Sequence, residues 1–222
     1  FSNTLYYFLK SYPNVGEFSY LCIMVEDTYK TILTIAEGSF IEKRSKFIAI
    51  ALPVHSVDDV KTHLEEYQKK YYDARHICYA YMLGADRKDF RANDNGEPSG
   101  TAGKPILGQI NSNELTNILI IVIRYFGGIK LGTSGLIVAY RNAAAEAIIA
   151  STIIEKTVNE EITIIFEYPF INDIMRIVKE EGPEIISQSY DMDCNITLSI
   201  RRSMMPELRK RLEKVKTVRI CE

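Results

Sequence analysis

The run NILIIVIRYFGGIKLGTSGLIVAYRNAAAEAIIA, residues 117–150, reads as a strand, a glycine turn and a helix in sequence. Residues 117–125 are almost continuously apolar, which fits a central strand covered on at least one face and mostly buried. Gly127, Gly128, Gly132 and Gly135 then punctuate the chain too densely for a regular element. From about Gly135 to Ala150 the small residues Ala139, Ala143, Ala144 and Ala147 predict a helix able to lie close against that sheet.

Upstream, residues 29–36 (YKTILTIA), 46–54 (KFIAIALPV) and 76–83 (HICYAYML) are short, apolar and β-rich, and read as strands. Between the last two, Ser56 is placed to cap a helix, with Asp58 and Asp59 in its first turn. Val57, Val60, Leu64, Tyr67 and Tyr71 recur at spacings of three and four, giving one buried stripe over roughly 57–72. Residues 84–105, dense in Gly, Asp, Asn and Pro, predict a long irregular loop, a type usually functional or mobile.

After Glu155 the pattern changes. Residues 160–168 read as a strand, and 170–181 as a helix closed by Gly182 and Pro183. Residues 184–190 and 194–201 read as strands joined through Asp191–Asp193. A helix near Pro206 runs to about Val215, and 217–221 is a last short strand. That order, βαββαβ, is the ferredoxin-like arrangement. The expected class is therefore α+β in two domains, 29–154 and 155–222, after an extension over 1–28.

The chain has 222 residues and a net charge of −2, so a general polyanion binder with a strongly basic balance is not expected, although a local basic patch is compatible with it. Cys22, Cys78, Cys194 and Cys221 form no CxxC pair, and there are three histidines. The expectation is reduced thiols in a cytosolic protein, with neither a zinc site nor a disulfide framework. No apolar run reaches the ~18 residues of a membrane span, so no membrane partner is expected. Residues 1–24 lack a basic leader region and a small-residue cleavage site, and do not read as a signal peptide. Regular patterning starts after Met24, which predicts Met24 as the natural start, with 1–23 upstream of it.

Two segments concentrate chemistry. The first is NGEPSGTAGKP, residues 95–105, with Glu97, Ser99, Thr101 and Lys104 among glycines. Backbone N–H groups there can point into an anion that Lys104 neutralises; the alternative is an ordered loop with glycines at left-handed positions. A Walker A loop is excluded, since Pro98 and Pro105 stand where Gly and Ser or Thr would be needed. The second is residues 124–135, with Arg124, Gly127, Gly128, Lys130, Gly132, Thr133 and Ser134 before the helix. A helix start offers free N–H groups and a partial positive charge, and Thr133 or Ser134 can cap it. The spacing fails GxGxxG, so no dinucleotide cofactor is expected. His76, next to Arg75, suits a phosphate contact, a base or a structural role. Ser99 has no neighbouring base and is not read as a nucleophile. Asp94 and Glu97 could hold Mg²⁺, but turn-forming solvated acids are the preferred reading, and no metal is expected.

GEPSGTAGKPIL (96–107) followed by RYFGGIKLGTSGL (124–136) resembles the two signature segments of the YigZ/IMPACT family. RSKFIA (44–49) and ARHICYAY (74–81) extend the resemblance over about 29–150, and the βαββαβ tail is similar to the second domain of the bacterial members. The resemblance implies an N-terminal β-α domain like the second domain of a small-subunit ribosomal protein, a fold also seen in elongation factor G. It implies a ferredoxin-like C-terminal domain like one of that same factor. Eukaryotic relatives regulate translation by competing for the activator of a stress-responsive kinase, and contact with nucleic acid or ribosomes is the usual inference for the bacterial ones. The chain departs from the family pattern at Asn95, where an acidic residue is frequent, at Ser134, where glycine is frequent, and at Val138, where a basic residue is common. Arg141, one helical turn on, is positioned to replace that charge.

The C-terminal region carries Arg201, Arg202, Arg209, Lys210, Arg211, Lys214, Lys216 and Arg219, either a solvated helix face or a patch for RNA phosphate. The leading expectation is a non-enzymatic binding protein that contacts RNA, the ribosome or a translation-associated partner. The alternatives are an enzyme acting on a phosphorylated small molecule or nucleotide through the glycine loops, and a regulator that binds protein alone.

Overall fold

The structure, a computed structural model, describes residues 27–190 and 194–221. The expected start at Met24, the segment before it, Cys22 and the 191–193 turn lie outside the described residues.

Three strands and a helix follow in order: β1 (Thr28–Ile32), β2 (Ala36–Glu42), β3 (Ser45–Pro53) and α1 (Val57–Lys70). Next come β4 (His76–Leu83), β5 (Asp89–Asn93), α2 (Gly103–Ser112), β6 (Ile118–Tyr125), α3 (Gly132–Ile149) and β7 (Ile153–Thr157). β2 to β6 form one antiparallel sheet in the order β2-β3-β6-β4-β5. β6 lies at its centre, with Ile120 opposite Ala51 on β3 and Ala80 on β4.

The sheet is covered on both faces, which explains why β6 is apolar at every position from Ile118 to Ile123. Leu119, Ile121 and Ile123 pack with Ile48, Ile50, Leu52 and the Val60 and Tyr67 side chains of α1. Ile118, Ile120 and Val122 face the other way, into a core with Phe47, Ile106 and Ile110 of α2, and Tyr140 and Ala143 of α3. Ser56 caps α1 as read: its hydroxyl accepts from the Asp59 amide, and the Asp59 carboxylate accepts from the Ser56 amide.

The small residues of α3 have a partner the sequence reading did not single out. A Cβ on Gly38 of β2 would lie 2.3 Å from the Ala147 nitrogen, so glycine there lets the helix backbone sit directly on the strand.

Several elements differ from expectation. The single strand read at 29–36 is two, because the chain turns between Ile32 and Ala36. β1 leaves the main sheet and pairs antiparallel with β7, a short and mostly exposed strand with no apolar signature. The loop read at 84–105 contains β5 and the first turn of α2. Pro105 is compatible with that turn because first-turn N–H groups have no partner inside the helix. α3 begins at Gly132 rather than Gly135, with Leu131 at the cap position and no side-chain cap, so Thr133 and Ser134 lie inside its first turn.

The rest of the chain runs β8 (Asn159–Phe166), α4 (Ile171–Glu181), β9 (Glu184–Tyr190), β10 (Cys194–Arg201), α5 (Met205–Leu212) and β11 (Arg219–Cys221). These strands form a second antiparallel sheet in the order β11-β8-β10-β9. Its separate core joins Ile164, Phe166, Ile196 and Leu198 of the sheet to Ile174 of α4 and Leu208 of α5. Gly182, in the left-handed conformation, ends α4 as its position suggested. α5 stops at Leu212, a turn before Val215. No helix among the described residues is long and apolar enough to cross a membrane.

Candidate functional site

The two glycine segments meet at one end of the five-stranded sheet, where β4 and β6 lie side by side and His76 is paired with Arg124. Two acidic residues organise the buried side of this junction.

Asp94 follows β5 directly. One of its carboxylate oxygens accepts from the amides of Ala102 (2.9 Å) and Gly103 (2.8 Å), the other from Gly100 (2.8 Å). Ala102 supplies no side-chain cap to α2, so Asp94 takes that role from outside the helix. Burial by itself would raise the Asp94 carboxyl, but the amides of Gly100, Gly103 and Ala102, aided by the charge of Lys104, hold it below its ordinary value. The N–H groups read as a nest for an external anion therefore converge on an anion belonging to the chain itself.

Glu97 accepts from the Arg124 guanidinium at 2.5 Å and from the Tyr140 hydroxyl at 2.9 Å on the same oxygen. The side chains of Arg124 and Glu97 are 9% and 4% exposed. The Cys78 thiol donates to the Asp94 carbonyl at 2.9 Å and lies 3.3 Å from the Tyr140 hydroxyl. Burial pushes that thiol up to about 12, so it stays protonated near neutral pH. Asp94 and Glu97 are thus committed to internal donors, and among the described residues no cluster of three His, Cys, Asp or Glu is placed to hold a metal ion.

A column of side chains leads outward from this network. Tyr140 meets Phe47 edge-on, with centroids 5.1 Å apart. The Arg124 guanidinium lies over Phe47 and also over Phe126, 5.7 Å from each centroid. Phe126 is 57% exposed, and Ile129 in the same turn is also exposed. Gly127 fixes this turn against β3: a Cβ there would fall 2.1 Å from the Arg44 carbonyl carbon, and its amide donates to Ser45 Oγ at 3.1 Å.

At the surface Arg75, His76, Arg124, Phe126 and Lys130 line a recess of about 240 Å³. His76 Nδ1 is 3.0 Å from the Asn95 carbonyl oxygen. A separate groove of about 530 Å³ brings Gly100 and Lys104 together with Ile137 and Arg141. The candidate cations therefore divide: Arg75, Arg124 and Lys130 belong to the recess, Lys104 and Arg141 to the groove between α2 and α3. Val138 is exposed on α3, so the departure noted there is a surface one. Gly128, Gly132, Thr133 and Ser134 are exposed around the start of α3, and Ser99 is exposed on its loop. Thr101 is buried, its hydroxyl donating to the Pro98 carbonyl at 2.7 Å.

The sequence reading passed over Phe126 and the supporting residues Tyr140 and Cys78. An aromatic side chain inside a glycine turn was the available signal for Phe126. Tyr140 and Cys78 carried none, since each sits in an apolar stretch consistent with plain core. In the C-terminal part much of the basic charge is paired: Arg201 with Asp27, Arg202 with Glu160, Lys210 with Glu207, and Arg211 with both Glu180 and Glu181.

Fold and site together define a protein whose helix-covered antiparallel sheet displays two interlocked glycine segments at one end, with Asp94, Glu97 and Arg124 turned inward and Lys104 and Lys130 outward. The family described as the Impact N-terminal domain matches residues 43–148. The IMPACT family member YigZ of Escherichia coli is 33% identical over 172 residues, covering 77% of this chain and 84% of that protein. YvyE of Bacillus subtilis is 31% identical over 153 residues, covering 69% and 70%. A solved structure described as the crystal structure of a hypothetical protein matches with a TM-score of 0.68 at 28% identity, over 87% of this chain and 96% of that one. The chain belongs to the IMPACT family.

Proposed function

We propose that this protein is a translation-associated binding protein that contacts RNA, on the ribosome or free, through the glycine-segment end of its five-stranded sheet. The observation that carries the proposal is the recess in which the cationic side chains of Arg75 and Lys130 flank an exposed phenyl ring. Cations beside an aromatic platform suit a polyanion with stackable bases. Membership of the IMPACT family supports the translation-associated part of this reading. The internal pairing of so many C-terminal cations favours this end over the C-terminal face.

We also infer the division into a domain over 29–154 and one over 155–222. Separate hydrophobic cores support it, and the strand order β11-β8-β10-β9 is that of a ferredoxin-like βαββαβ unit. The β1–β7 ribbon then bridges the boundary. A cytoplasmic location fits an RNA partner.

The test is retention of ribosomal RNA and tRNA on filters over a salt series, with co-sedimentation on ribosomes. Binding that weakens steeply with salt is expected. No retention at low salt together with no co-sedimentation overturns the proposal.

The groove lined by Lys104 and Arg141 favours a second reading, an enzyme acting on a phosphorylated small molecule. A thermal-shift panel of nucleotides and sugar phosphates separates the two. A shift lost in Lys104→Ala supports the enzyme, and no shift across the panel removes it.

A further inference from the structure

Phe126 is an exposed ring with one face occupied. The Arg124 guanidinium covers that face at 5.7 Å, and Arg124 is itself fixed by Glu97 and by Phe47 beneath it. The ring is thus anchored from below by a buried charge and remains 57% exposed. A lone exposed aromatic needs no explanation. One placed on a buried cation, in a recess rimmed by further cations, has the form of a platform for a flat ligand.

The Arg124 side chain is nine-tenths buried and its Nε is enclosed, so this cation supports the ring from within the fold. The Asn95 carbonyl can only accept, so His76 Nδ1 carries the proton between them. The recess therefore offers an aromatic face, the cations of Arg75 and Lys130, and the imidazole edge of His76. Its volume of about 240 Å³ lies below the ~300–1,000 Å³ of ordinary ligand clefts, which suits one nucleotide rather than a whole cofactor.

We infer that this recess is a subsite for one unpaired nucleotide of single-stranded RNA, its base stacked on Phe126 and its phosphate held by Arg75 and Lys130. The inference rests on the RNA-binding reading above and narrows it. A base within a duplex is stacked on its neighbours and cannot reach the ring, whereas an unpaired base can turn out onto it. The recess thereby selects single strands, loops or ends without reading a particular sequence.

The experiment compares the intact chain with Phe126→Ala, Phe126→Tyr and Lys130→Ala by fluorescence anisotropy at low salt. The probes are a short unstructured oligoribonucleotide and the same strand annealed to its complement, with ribosomal RNA retention measured in parallel. The single strand is expected to bind more tightly than the duplex. Phe126→Ala is expected to weaken it ~5- to 150-fold, the range for loss of one base–aromatic stack, while Phe126→Tyr keeps it. Lys130→Ala is expected to weaken both probes. Near-ultraviolet circular dichroism checks that each variant is folded, and the Tyr variant holds the test open if Phe126→Ala is not. Equal binding of single strand and duplex, or no loss in a folded Phe126→Ala, overturns the inference. If ribosomal RNA is still retained in that case, the broader RNA reading stands; if no RNA binds at all, both fall.

Discussion

Arg124 and Glu97 form a buried ion pair, 2.5 Å between nitrogen and oxygen, that ties β6 to the loop between β5 and α2. It joins the two glycine segments and places the Arg124 guanidinium under Phe126. Removing one partner leaves the other charge buried and uncompensated. Glu97→Ala is expected to destabilise the protein by roughly 3–5 kcal/mol in urea unfolding. The double variant Glu97→Ala/Arg124→Leu is expected to be more stable than the sum of the single losses predicts. Additive losses would mean that the pair is not coupled in solution.

Asp94 gives the stability a defined acid dependence. Its carboxyl is held below its ordinary value in the folded state, so the folded state binds fewer protons at that group than the unfolded chain does. The resulting stabilisation is complete above the unfolded value of about 3.9 and is lost as pH falls through the folded one. Asp94→Asn is expected to cost about 1–3 kcal/mol at neutral pH, because three amides lose a charged acceptor. It is also expected to flatten the pH dependence of stability below about pH 4. An unchanged acid limb in the variant contradicts this role.

Two glycines should respond oppositely to alanine. At Gly127 the added methyl meets the Arg44 backbone, and a loss of at least ~1–3 kcal/mol is expected. At Gly108, inside α2, a Cβ would meet nothing within 4 Å beyond its own helix. Gly108→Ala is expected to raise stability by ~0.4–1 kcal/mol, since alanine loses less backbone freedom on folding. Thermal unfolding of the two variants measures both effects.

The thiols should differ in reactivity. Cys78, pushed up to about 12 by burial, is expected to resist iodoacetamide at mildly alkaline pH, whereas the exposed Cys221 reacts. Peptide mapping after brief alkylation of native protein reads this directly. Labelling of Cys78 at the rate of Cys221 would show that the network around Tyr140 opens readily.

The phosphate contact proposed for Lys130 predicts a change in salt dependence. Lys130→Ala is expected to reduce the slope of log K against log salt by ~0.7–1 for ribosomal RNA, without changing preference among sequences. A slope equal to that of the unmodified protein would exclude a phosphate contact at Lys130.

Elements with local signals were legible in the sequence. The apolar run at 118–123, the capped stripe of α1 and the glycine stop after α4 are each dictated by spacing and cap chemistry within a few residues, and each is present in the structure. The two glycine segments were legible as the place of interest, and their motifs as the mark of the family. What surrounds them was not. That Asp94 would fill the nest, that Glu97 would neutralise Arg124, and that Lys104 and Lys130 would open onto different surfaces all depend on contacts between residues far apart in the chain. β1 and β7 illustrate the same limit: Ile32 pairs with Ile153, far along the chain, and neither strand announces its partner. Local pattern fixes which face of an element is apolar, because that depends only on the helix and strand periods. Which charge meets which is decided when the sheet closes, and at this site that step turned the carboxylates inward and left Arg75, Lys130 and Phe126 at the surface.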